Sequence, residues 1–177
     1  MLKTLTEIAT HELDTAYGRF NLAGYLFGDN QQIVFAMWHP STHSEPMVRI
    51  QYGCINGTVF KATDCDCGAQ IDAALRKIAS NKAGIFIYFP DHEALGLGLI
   101  AKMRLVAEEK KTRKTFSEVL ASLNIQPGNF DVMWVVPHIF DRLSIGKTII
   151  LLGRNGAKIS RLEELGFTIA RVLDLET

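Results

Sequence analysis

The apolar pattern of the chain changes character partway along. Residues 17–27 (YGRFNLAGYLF) and 32–38 (QIVFAMW) are aromatic and β-branched, and the turn-forming Gly28-Asp29-Asn30 lies between them, which predicts two strands. Residues 39–46 (HPSTHSEP) are polar and bounded by proline, hence a loop. Residues 47–52 (MVRIQY) alternate like a strand with one wet face. After Gly68 the period becomes helical: Ile71, Ala74, Leu75 and Ile78 share one face of a helix over 70–81. Residues 83–89 (AGIFIYF) form a continuous apolar run, as expected of a buried strand. A helix from 96 to about 110 follows, with Leu99, Met103 and Val106 along one face. A short helix over 137–143, a strand over 148–152 (TIILL), a helix over 157–165 and a strand over 168–173 complete the pattern. This order predicts a mixed α/β (α+β) fold, with antiparallel strands in the N-terminal half and helix-strand alternation in the C-terminal half.

Composition narrows the possibilities. The 177 residues suit one domain over 1–177, and nineteen basic side chains balance nineteen acidic ones. A neutral chain with pI near 7.0 argues against a broad nucleic-acid-binding face. The apolar fraction of 47% is high, yet no run approaches the ~18 residues of a membrane span. The opening MLKTLTEIATHELD turns polar and acidic within a few residues, unlike a signal peptide, so a cytoplasmic protein is expected. The basic run Lys110 to Lys114 (KKTRK) reads as a solvated helix end or loop.

The cysteines are distributed most unevenly. There are three, Cys54, Cys65 and Cys67, spaced Cys-x10-Cys-x-Cys. An odd count speaks against a disulfide framework and for reduced thiols. In an extended segment Cys65 and Cys67 would point the same way, and Asn56-Gly57 supplies a chain reversal that returns Cys54 towards them. They are either three small packing residues or metal ligands, and zinc is the natural ion for clustered thiolates. A closed structural site needs a fourth protein donor, with His92 and His43 as candidates. A catalytic site leaves that position to water.

Several segments together resemble the GTP cyclohydrolase II family. Val48-Arg49, Cys54-x-x-Gly57 and Cys65-Asp66-Cys67-Gly68-x-Gln70 are similar to its zinc motif. Glu93-x-x-Gly96-Leu97-Gly98-Leu99 resembles its glutamate-glycine-arginine-glycine-isoleucine-glycine stretch, and YGRFNLAGYLF, ILLGRNGAKI and LEELGF also fit. The family opens the imidazole ring of GTP, losing C8 as formate and releasing pyrophosphate. The resemblance implies one zinc per chain on Cys54, Cys65 and Cys67, a homodimer, and substrate contacts from Arg49, Gln70, Glu93, Thr115 and Lys158. Glu93 would read a guanine-like N–H face through charge-assisted hydrogen bonds. Arg49, Thr115 and Lys158 would contact the substrate partly through its phosphates, although Arg49 and Lys158 each also read as an ordinary surface charge. Magnesium is implied only for a polyphosphate substrate.

The chain also departs from that pattern. Gln51-Tyr52-Gly53 stand where the family has histidine-serine-glutamate, and Ala94-Leu95 where it has glycine-arginine. Val106 replaces a tyrosine and His92 a glutamine. The family's aspartate-x-arginine pair should fall near 129–132, but residues 128–134 read GNFDVMW, without arginine. Attack at phosphorus needs preorganised cations, which are depleted here. The expected activity is therefore zinc-dependent ring opening of a purine- or pyrimidine-type base, nucleoside or nucleotide other than GTP. The general acid or base would come from Asp91, His92 or Glu93, three consecutive residues after a buried strand, with Asp131 and His138 as further candidates. Two other readings are an authentic GTP cyclohydrolase II and a zinc-stabilised pseudoenzyme that only binds a nucleotide-like ligand.

Overall fold

The computed structural model describes residues 4–29, 31–42, 44–125 and 131–175. The chain begins with an antiparallel meander of β1 (Leu5–Thr15), β2 (Gly18–Phe27) and β3 (Gln32–Trp38). Then come β4 (Met47–Tyr52), the one-turn helix α1 (Ile55–Thr58), α2 (Cys67–Asn81) and β5 (Gly84–Phe89). A 3-10 turn at Glu93–Gly96 leads to α3 (Leu99–Thr112), α4 (Phe116–Ser122), α5 (Val135–Arg142), β6 (Thr148–Leu152), α6 (Gly156–Glu164) and β7 (Thr168–Leu173). All strands join one mixed sheet in the order β1-β2-β3-β5-β4-β6-β7. β5 runs antiparallel to β3 and parallel to β4, and β4, β6 and β7 are mutually parallel where they pair. No helix among the described residues is long and apolar enough to cross a membrane.

The two-residue period of the strands sorts the core onto two faces. On one face Ile85, Ile87 and Phe89 of β5 pack with Val48 and Ile50 of β4 beneath Val135, Val136, Ile139 and Phe140 of α5. On the other, Phe86 packs with Phe20 and Met37 beneath Ala74, Leu75 and Ile78 of α2. Of the predicted apolar face of α2, Ala74, Leu75 and Ile78 are buried and Ile71 is partly buried, and Gly68 is buried as well. The α3–α4 pair has its own small cluster of Leu105, Val119 and Leu120.

The expected α/β order is present, with informative differences. β1 carries no apolar alternation and was not expected as a strand. As an edge strand it needs only backbone pairing with β2, and most of its side chains are exposed. The predicted face of α3 turns outward: Leu99 and Met103 are about half exposed and Leu105 is the buried residue. α4 was also missed, although its start carries a sequence signal, the capping box of Thr115 and Glu118. The run Lys110 to Lys114 is the expected solvated helix end: Lys110, Lys111, Arg113 and Lys114 are all exposed.

Because Ile87 is fully buried on the central strand β5, Ile87→Ala should destabilise the protein by about 2–5 kcal/mol in urea unfolding. Ile8→Ala on β1, where the side chain is 53% exposed, should change stability by less than about 0.5 kcal/mol.

Candidate functional site

The sheet order creates the site. From β4 the chain crosses through α2 to β5 on one side, and later returns through α3, α4 and α5 to β6 on the other. The carboxyl end of β4 is therefore a topological switch point, where neighbouring crossovers diverge and leave a crevice. Cys54 follows β4 at that end, His92 and Glu93 follow β5, and the segment from Gly153 to Lys158 follows β6.

Two close backbone approaches gather the thiols. Asn56-Gly57 lies in the helical turn α1 instead of the expected hairpin-type turn. A Cβ on Gly57 would stand 2.6 Å from Cys65 Sγ and 3.1 Å from Cys67 Cβ, while a Cβ on Gly68 would meet the Gly57 carbonyl oxygen at 2.5 Å. Glycine at both positions lets α1 sit directly on the start of α2. The segment between Cys65 and Cys67 is not extended as expected, since Asp66 has helical φ and ψ and Cys67 is the first residue of α2. The three Sγ atoms nevertheless lie within 4.8 Å of one another, with Cys54 and Cys65 3.4 Å apart. Thiolates ~2.3 Å from one tetrahedral ion would be ~3.8 Å apart, so this soft donor set fits a metal. Among the described residues no histidine or carboxylate joins the cluster within that distance. His43 lies outside the described residues.

A cavity of about 320 Å³ opens beside Cys54 and Cys67, and Arg49, Tyr52, His92 and Lys158 also line it. His92 is buried, its Nδ1 has no hydrogen-bond partner, and its ring lies 4.4 Å from that of Tyr52, centroid to centroid. Burial and then the charge of Lys158 lower the His92 pKa, favouring the neutral imidazole. Lys158 Nζ donates to the Ile50 carbonyl at 2.9 Å and sits 4.2 Å from the Tyr52 ring centre. Burial, followed by the nearby Arg49 charge, pulls its pKa down to about 8. Leu95 and Phe116 add apolar wall.

Arg49 and Gln70 are both in this wall, but they are bonded to each other. The guanidinium donates to Gln51 Oε1, to Gln70 Oε1 at 2.6 Å and to the Leu152 carbonyl at 3.0 Å. The amide of Gln70 in turn donates to Asp66. Glu93 is buried with Oε2 accepting from Ile55 N at 3.1 Å, while Oε1 faces Lys102 Nζ at 4.0 Å without a hydrogen bond. Thr115 caps α4 through its capping box with Glu118 and is not among the residues lining the cavity. Asp131 is exposed and pairs with Arg161 of α6, and His138 packs edge-on against Trp134. Asp131 thus pairs with an arginine 30 residues later in sequence, which no local motif reveals. Residues 126–130, including Asn129 and Phe130, lie outside the described residues.

The turn that presents His92 and Glu93 is strained. Ala94 (φ 50°) and Leu95 (φ 59°) both occupy the left-handed region, at a cost on the order of 1 kcal/mol each for non-glycine residues. That double turn ends the β5 segment and buries His92 and Glu93 while Leu95 stays half exposed.

A neutral buried histidine makes folding pH-dependent. With its folded pKa below the unfolded value of 6.5, His92 binds fewer protons when folded. Its neutral packing is therefore fully compatible with the fold above about pH 6.5 and costs stability as pH falls below it. His92→Gln should flatten the acid limb of stability against pH in urea titrations, and an unchanged limb would refute this assignment.

Comparison with known proteins agrees with the site. The sequence signature of the GTP cyclohydrolase II family matches residues 6–174. A GTP cyclohydrolase-2 from Streptomyces coelicolor is 30% identical over 170 residues, covering 95% of this chain and 75% of the relative. One from Pasteurella multocida is 31% identical over 169 residues, covering 93% and 75%. A riboflavin biosynthesis protein RibBA from Salinispora tropica is 30% identical, covering 94% of this chain but 42% of its own length. Among solved structures, the two-domain 3,4-dihydroxy-2-butanone 4-phosphate synthase RibBX from A. baumannii shares the fold, with a TM-score of 0.50 and 16% identity over 98% of this chain and 40% of that one. With its three thiols gathered at the switch point and its signature spanning nearly every residue, the chain belongs to the GTP cyclohydrolase II family, hydrolases that act on carbon–nitrogen bonds.

Proposed function

We propose that this chain is a zinc-dependent cyclohydrolase that opens the ring of a purine- or pyrimidine-type base, nucleoside or nucleotide other than GTP. The observation that carries the reading is the meeting of Cys54, Cys65 and Cys67 beside a cavity that His92 also lines. The three thiolates would hold one zinc per chain, which as a Lewis acid supplies activation of water at an electrophilic ring carbon. The Tyr52 ring packs against His92 and Lys158 in the wall of this cavity. His92, neutral and within the cavity, is suited to carry a proton between water and the leaving ring nitrogen. Glu93 supports this arrangement from below by bonding Ile55 N at the start of α1, with its buried Oε1 turned towards Lys102. Leu95 and Phe116 limit access of bulk water. Asp131, held by Arg161, is an alternative acid. The family resemblance extends this reading to a cytoplasmic homodimer.

Identity near 30% to proteins named GTP cyclohydrolase-2 favours a second reading, hydrolysis of GTP itself. Incubation with GTP and magnesium should then release formate and pyrophosphate, and silence at high enzyme concentration would dismiss it.

The purified protein should contain about one zinc per chain. Cys65→Ser should lose the metal together with loss of ring absorbance in a screen of purine and pyrimidine bases, nucleosides and nucleotides. Ring opening that persists in metal-free protein would overturn the proposal.

A further inference from the structure

We infer that Gln51 and Tyr52 are specificity determinants that seat two of the three cations lining the cavity, Arg49 and Lys158, and leave Lys102 beside Glu93, so that the cavity receives a heterocycle with at most one anionic group instead of a polyphosphate. The location of the substrate rests on the cyclohydrolase reading, whereas the anion preference follows from the seating alone.

A guanidinium recognises phosphate by offering paired N–H donors. Arg49 is 8% exposed, and four hydrogen bonds draw on its five N–H groups. Gln51 Oε1 takes two of them, from Nε at 3.2 Å and Nη2 at 2.7 Å. That amide is itself fixed, since Gln51 Nε2 donates to the Tyr52 carbonyl at 3.0 Å. Gly153 provides the space: a Cβ there would stand 2.6 Å from Arg49 Nη1. The guanidinium is therefore part of the junction between β4, α2 and β6, and little of its donor capacity faces the cavity.

Lys158 is retained in a different manner. Its ammonium is drawn to the Ile50 carbonyl and over the Tyr52 ring, which supplies a negative face to the cation. Gln51 and Tyr52 are adjacent, and both stand where the chain departs from the family pattern. Two adjacent residues of that three-residue departure thus contribute to the seating of both cations. Arginine and lysine at these positions are retained in sequence while their charges are satisfied within the protein.

The test uses the intact protein and inorganic pyrophosphate, titrated by calorimetry without added divalent cation. The wild type should show no saturable binding below millimolar pyrophosphate. Gln51→Ala frees two charge-assisted donors of Arg49 and should bind about tenfold or more tightly than the wild type. Tyr52→Ser, which releases Lys158, should give an independent gain if Gln51→Ala does not fold. Thermal unfolding of each variant establishes that the folded protein is measured. Tight pyrophosphate binding by the wild type, through whichever cations, overturns the inference, as does a folded Gln51→Ala or Tyr52→Ser variant with no gain. The readout needs neither zinc nor turnover, so a failure of the cyclohydrolase reading in the ring-opening assay is recorded separately.

Discussion

A guanidinium buried at the carboxyl end of a sheet must have its donors satisfied, because an unpaired buried charge costs several kcal/mol. Arg49 meets that requirement from three directions at once: Gln51 on its own strand β4, Gln70 on α2 and the Leu152 carbonyl at the end of β6. The junction ties together the parts that carry the chemistry. It fixes the first turn of α2, where Cys67 lies, relative to the end of β4, from which Cys54 follows. It also forms the wall between the cavity beside the thiols and a second cavity of about 230 Å³ against the β6–α6 connection. Lys158 lines both, bonded to the Ile50 carbonyl of the same strand.

Around that junction the site divides its work by residue type. Soft sulfur donors come from the connection after β4, the buried titratable groups His92 and Glu93 from the strained turn after β5, and a cation from the start of α6. Each sits at the carboxyl end of one of three neighbouring parallel strands. Glycine controls how tightly these pieces close, since Gly57 and Gly68 set the approach of α1 to α2 and Gly153 sets the room for Arg49. Two left-handed residues at Ala94 and Leu95 cost backbone energy and in return bury His92 and Glu93 within reach of the crevice.

Much of this was legible in the sequence, for specific reasons. Strands β3, β4, β5 and β6 and the apolar face of α2 declare themselves because each buries a set of apolar side chains. The thiol cluster was legible because cysteine is rare and its spacing is distinctive. β1 was not, because an edge strand held by backbone pairing leaves no apolar signature. The outward face of α3 was misleading, since Leu99 and Met103 lie at helical spacing but find no partner among the described residues. Thr115 caps α4, a role that its sequence neighbour Glu118 already signalled.

The sequence by itself determined the family, the clustering of Cys54, Cys65 and Cys67, and the α/β order of elements, because these depend on residue type, spacing and local periodicity. It could not say what retained residues do with their charges. Arg49, Gln70 and Lys158 read as substrate contacts along the chain, but only the tertiary structure shows Arg49 bonded to Gln51, Gln70 and Leu152, and Lys158 over Tyr52. The Arg161 that reaches Asp131 is equally invisible in one dimension. The physical reason is the same in each case. Hydrogen bonds and ion pairs are made by distance and direction in space, and the bonds from Arg49 to Leu152 and from Lys158 to Ile50 join residues more than a hundred positions apart.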